Sequence, residues 1–97
     1  MHAGVITMQG TAEQLESVRR LYRERVLPAL RTQPGFQQSF LLQDRASGKG
    51  FGVTLWESEQ AARAAVEAMA EQRREGGQAL GQGAPLQGEF FEVVEQG

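Results

Sequence analysis

The sequence predicts an α+β fold in the order strand, helix, strand, strand, helix, strand. This is a ferredoxin-like βαββαβ sandwich, with two helices on one face of an antiparallel sheet. Three observations support it. Four short segments are rich in β-branched and aromatic residues, two longer ones repeat apolar residues every three or four positions, and Gly- or Pro-bearing stretches lie between them. A chain of 97 residues has room for one domain, residues 1–97.

Residues 3–9 (AGVITMQ) make the first strand, closed by Gly10. Thr11 opens a helix expected from about residue 12 to about residue 31. Thr11-x-x-Gln14 has capping-box form, and Glu13 and Glu16 lie near the positive helix end. Leu15, Val18, Tyr22, Val26 and Ala29 form one apolar stripe. Pro28 removes a backbone donor, which predicts a kink or a loosened last turn, and Gln33-Pro34-Gly35 ends the helix. Phe36–Asp44 is the second strand, with Phe36, Phe40 and Leu42 on one face and Leu41 on the other. Residues 45–50 are a polar hairpin loop. The third strand, 51–57, alternates Phe51/Val53/Leu55 against Gly52/Thr54/Trp56. Ser58 caps a second helix over 59–75, alanine-rich and therefore able to approach a sheet closely, with Ala62, Ala65, Val66 and Met69 on one face. Gly76-Gly77 is expected to end it, 76–85 to be a flexible connection, and 86–94 to supply the last strand.

Composition narrows the function. Ten Lys+Arg against twelve Asp+Glu give a net charge of −2 and a pI near 5.4, which leaves no basic excess for nucleic acid or an anionic membrane. The absence of cysteine excludes a disulfide scaffold, a thiol nucleophile, an iron–sulfur cluster and any thiolate zinc site. The single histidine, His2, excludes a multi-histidine metal site and is expected in a disordered terminus. No apolar run approaches the roughly 18 residues of a membrane span, and MHAGVITMQG has no basic region before an apolar stretch, so a cytoplasmic location is expected.

The strands are apolar on both sides. Strand three has Phe51, Val53 and Leu55 opposite Trp56, and strand four has Phe90 and Val94 opposite Phe91 and Val93. A sheet with one wet face normally alternates cleanly. A second surface is therefore expected to cover the far face, and the simplest is another copy of the chain, giving a homodimer.

From Gln33 to Met69 the chain reads QPGFQQSFLLQDRASGKGFGVTLWESEQAARAAVEAM. The PGF after a long first helix, the hairpin, and the Trp56-Glu57-Ser58 before an Ala-rich helix resemble the antibiotic-biosynthesis monooxygenase-like family. The resemblance covers most of the chain. It implies ferredoxin-like subunits whose sheets pack face to face as a dimeric α/β barrel. It also implies polycyclic aromatic substrates, oxidised by some members without metal or flavin in a pocket between sheet and helices, while others bind and degrade haem. No cofactor is expected here, since no internal histidine is available to ligate haem iron. Active members use an Asn and a Trp on the sheet, with a Tyr or His from the second helix. The Trp is present as Trp56, but the Asn position holds Gly52, and 59–75 contains neither Tyr nor His. Catalytic residues are thus unassigned, and the resemblance implies a cofactor-independent monooxygenase or a ligand-binding relative.

Lys49–Trp56 (KGFGVTLW) also resembles the octamer of RNA-recognition motifs. Lys49, Gly50, Phe51 and Gly52 match. Val53 stands where a base-stacking aromatic is wanted, the first strand has no aromatic, and the net charge is negative. A non-enzymatic binding module is the alternative function, with RNA its least favoured ligand.

The candidate ligand pocket comprises Trp56, Tyr22, Gly52, Thr54, Phe40 and Met69. Small residues beside Trp56 and an alanine-rich helix above it either let the layers close up or leave a cavity with Trp56 at its wall. A hydroxyl and an indole donor in an apolar pocket suit a flat aromatic or quinone-like ligand. The competing reading makes Trp56, Tyr22 and Met69 plain core. Asp44 and Glu57, ending neighbouring strands, are a weaker carboxylate pair, and Arg45 and Lys49 are expected in a wet loop.

Overall fold

Thr11 accepts a hydrogen bond from the Gln14 backbone while the Gln14 side chain accepts one from the Thr11 N–H, so the capping box forms and starts the first helix. The computed structural model describes residues 1–97. Its elements are β1 (His2–Gln9), α1 (Ala12–Leu21), a π-helical segment (Tyr22–Val26), α2 (Leu27–Leu30), β2 (Phe36–Asp44), β3 (Lys49–Trp56), α3 (Glu59–Ala68), α4 (Ala70–Ala79) and β4 (Gly88–Glu92). The four strands lie in the order β2-β3-β1-β4, every neighbouring pair antiparallel. This is the ferredoxin-like α+β arrangement.

The first helix is loosened, but upstream of Pro28 rather than at its last turn. Over Tyr22–Val26 the bonding widens to i→i+5, and the Leu27 N–H donates to the Tyr22 carbonyl. Pro28 has no N–H to donate, and its ring would crowd the Glu24 carbonyl in a regular α-helix; a wider turn relieves that contact.

The second helix departs further from expectation. It breaks at Met69, and α4 then runs through Gly76 and Gly77 to Ala79. Both glycines are buried. A methyl on Gly76 would lie 2.5 Å from Leu86 Cδ1, and one on Gly77 would lie 2.1 Å from the Ala84 carbonyl oxygen. Here glycine permits the returning chain to lie against the helix; it does not stop the helix. The stretch expected to be flexible is therefore packed, with the Leu86 N–H donating to the Arg73 carbonyl and Leu86 buried.

Two small cores result. Leu30, Trp56, Ala62, Ala65 and Met69 form one, and Met8, Val18, Leu80 and Leu86 form the other. The register puts Met8, Ile6 and Gly4 of β1 across from Gly50, Gly52 and Thr54 of β3, all on the helix side. The opposite side of the sheet carries no layer. There Leu42 pairs with Phe51, Phe40 with Val53, and Val53 in turn with Val5. Phe40 (46%), Leu42 (50%), Phe51 (38%) and Phe91 (51%) are exposed on it. The accessible surface is 6107 Å², against roughly 5,500 Å² expected for a folded chain of this mass. No helix is long and apolar enough to cross a membrane.

Candidate functional site

Between the sheet and the helices, and between the two cores, lies a cavity of about 340 Å³. Trp56, Tyr22, Gly52, Thr54 and Met69 all line it. The layers therefore do not close up over the small residues. Phe40 does not join them. A bulge between Phe36 and Gln38 shifts the register of β2, so Phe36 stays on the helix side while Phe40 and Leu42 turn outward. Ser39 and Leu41 take the cavity positions expected for Phe40. Strict alternation along the sequence misplaced Phe36 relative to Phe40 because it carries no signal for one unpaired residue.

Trp56 is fixed from three sides. It is 2% exposed, Phe36 meets its ring edge-on at a centroid distance of 5.5 Å, and its indole N–H donates to Thr54 Oγ1 at 2.8 Å. That bond satisfies the donor within its own strand. Tyr22, on the first turn of the π-helical segment, shares a hydrogen bond with the Ser39 hydroxyl at 2.5 Å. The remaining lining is mostly apolar, with Gln72 and Arg73 on the α4 side. Gln72 and Arg73 fall within the helix the sequence predicts, but they are polar residues off its apolar face, and nothing local in the sequence signals that they line a cavity. The Arg73 guanidinium donates to the Val66 and Leu86 carbonyls at 2.7 and 3.4 Å and makes no ion pair. Gln72 Oε1 and Arg73 Nε are buried without a partner.

A methyl on Gly52 would meet only Met8 Cε at 3.7 Å and Ile6 Cβ at 3.9 Å, ordinary contacts, so the space beside Trp56 is real. His2 is ordered in β1, paired across from Trp56 and Glu92, and does not line the cavity. No group of three His, Cys, Asp or Glu side chains comes together to hold a metal ion.

Asp44 and Glu57 are not neighbours. Asp44 pairs with Lys49 at the hairpin end and accepts from the Ala46 N–H and the Ser47 hydroxyl, whereas Glu57 follows Trp56 at the far end of β3. The RNA-like octamer has its aromatics on opposite sides of the sheet. Phe51 faces outward and Trp56 is buried under the helices, so they build no common stacking platform.

A sequence model described as antibiotic biosynthesis monooxygenase matches residues 1–74. Among solved structures, the chain is similar to a monooxygenase from the gene ActVA-Orf6 of Streptomyces coelicolor in complex with nanaomycin D. That similarity has a TM-score of 0.80 at 22% identity, over 98% of this chain and 88% of that one. A Nitrosomonas europaea protein of unknown function superposes with a TM-score of 0.77 at 14% identity, over 99% and 91% of the two chains. Rv0793 from Mycobacterium tuberculosis does so with 0.74 at 14% identity, over 98% and 96%. At these identities the likeness establishes the fold. No functionally curated protein matches the sequence.

Proposed function

The chain belongs to the antibiotic biosynthesis monooxygenase family, and on that premise we propose that it acts as a cofactor-independent monooxygenase, or a ligand-binding relative of one, on a small aromatic or quinone-like compound. The observation that carries the proposal is the mostly apolar cavity of about 340 Å³ walled by Trp56, a size and lining that suit a flat ligand. The nanaomycin D bound by the Streptomyces relative supports the same class of ligand. In this reading Trp56, Tyr22, Gly52, Thr54 and Met69 form the pocket. The whole chain acts as one domain, and a second copy covers the outer sheet face, where the apolar pairs Leu42–Phe51 and Phe40–Val53 lie.

Oxidation of an activated methylene to a ketone balances without an external reductant: one atom of O₂ becomes the carbonyl oxygen, the other leaves as water with both methylene hydrogens. The substrate supplies every electron. Oxygen uptake with anthrone, with anthraquinone as the product assayed and no cofactor added, tests this directly. Turnover that is lost in Trp56→Phe supports the enzyme; turnover indifferent to that change removes Trp56 from the chemistry.

Binding without turnover is the second reading, and a specific observation favours it. Gly52 stands where the resemblance calls for Asn, α3 and α4 carry no Tyr or His, and the Trp56 N–H is already engaged by Thr54. Quenching of Trp56 emission by an aromatic probe, with no oxygen consumed, would identify that state.

A further inference from the structure

Two hollows meet at the start of the π-helical segment. One is the cavity. The other is a surface groove along the outer edge of β2, where Arg19 and Arg23 stand across from Phe40 and Leu42. Only Tyr22, Ser39 and Leu41 line both. The Tyr22–Ser39 hydrogen bond thus spans the wall between them, and no other side-chain-to-side-chain hydrogen bond joins the helices to the sheet.

We propose that the Tyr22–Ser39 hydrogen bond is a latch on a passage from the β2-edge groove to the cavity, and that aromatic ligands reach the cavity by that passage. This rests on the ligand-binding reading above.

The surroundings of the latch are suited to yield. β2 is an edge strand, bonded to β3 on one side alone. Tyr22 begins the segment in which i→i+5 bonding replaces the regular helix, and none of Tyr22–Val26 is fully buried. Such segments recur at functional sites. Swinging the Tyr22 ring outward breaks one hydrogen bond and delivers its hydroxyl to a wet groove, so no buried donor is left unpaired. The segment remains tethered elsewhere, because Arg25 is bonded to Glu75 of α4 at 2.9 Å. Across the cavity the wall is stopped by packing of Leu86 against Gly76 and by a cation–π contact, the Arg63 guanidinium lying 5.1 Å from the centre of the Phe90 ring.

Trp56 is the only tryptophan, so its emission reports cavity occupancy. Stopped-flow quenching by 1,4-naphthoquinone gives both rates. Ser39→Ala is expected to raise association and dissociation by one common factor, about fivefold, the rate equivalent of one neutral hydrogen bond, and Tyr22→Phe, which also alters the pocket wall, to raise association by the same factor. In this cysteine-free chain, Tyr22→Cys combined with Ser39→Cys and bridged by a short bis-maleimide is expected to slow both. If Tyr22→Phe fails to fold, Ser39→Ala and the bridged variant carry the test. Equilibrium quenching with both rates unchanged in the variants overturns the latch and leaves ligand binding standing. A change in dissociation alone makes Tyr22 a binding contact and also overturns it. No quenching of the unaltered protein at any probe concentration overturns the latch and the ligand-binding reading together.

Discussion

Gly4 stands directly across the sheet from Thr54, and a methyl group on Gly4 would lie 2.8 Å from the Thr54 hydroxyl oxygen, the atom that accepts the Trp56 indole N–H. A missing side chain on β1 thus leaves room for the group that orients the tryptophan on β3. Gly4→Ala is expected to displace the Thr54 hydroxyl, and Thr54→Val to remove it with little change of shape. Either leaves a buried N–H unpaired and should lower stability by about 1–3 kcal/mol. Urea unfolding monitored by Trp56 emission checks this. Unchanged midpoints in both variants would show that the bond contributes nothing.

Gly77→Ala should destabilise the protein although alanine is the better helix former by about 1 kcal/mol. The new methyl would meet the Ala84 carbonyl, which is backbone and cannot swing aside. A net loss of about 1–3 kcal/mol is expected. Gly76→Ala meets the end of the Leu86 side chain instead and should lose less. Thermal melts of the two variants side by side read the order, and the reverse order would contradict the packing described.

Gly52→Asn should fold, because the added Cβ makes ordinary contacts with Met8 and Ile6. It places an amide beside Trp56, where the family resemblance calls for one. Faster oxygen uptake with anthrone is expected in this variant than in the unaltered chain. A folded variant with no gain would separate the present pocket from the family's oxygenation chemistry.

Phe51→Glu and Phe40→Glu put charge onto the outer sheet face without touching the cavity. Light scattering is expected to give twice the 10.6 kDa chain mass for the unaltered protein and the single-chain mass for the variants. A monomer before substitution sinks the proposed dimer.

The hydrogen bond from Arg63, and then its charge, hold the Glu59 carboxyl below its ordinary pKa. A depressed folded pKa contributes stability present above the unfolded value and lost as pH falls through the folded one. Glu59 and Arg63 are both exposed, so the effect is small. Glu59→Gln should therefore melt slightly below the unaltered chain at pH 7 and level with it under strong acid. A gap that persists in acid would assign it to something other than the ion pair.

The element order was legible because it rests on periodicity and on local chemistry. The Thr11–Gln14 box and the Ser58 cap are read from neighbours in sequence and formed as expected. What was not legible depended on contacts between distant residues. Gly76 and Gly77 look like a helix stop until Ala84 and Leu86 are seen against them. Phe40 shares parity with Phe36, and only the unpaired residue between Phe36 and Gln38 turns them to opposite sides. Pro28 announced a disturbance, but its displacement upstream to Tyr22–Val26 depends on how the helix is held at both ends. Gly52, Thr54 and Trp56 share one face of β3 by simple alternation, and Tyr22 and Met69 meet them from the helical layer on the other side of the cavity.

The two cores give the first helix an uncommon mechanical character. Val18 binds it to one core and Leu30 to the other, while the π-helical turns between them bury no residue. An ordinary helix frays from its tips, where backbone groups lack partners. This one is pinned at its tips and slack at its waist, so its amides should exchange with deuterium from the middle outward.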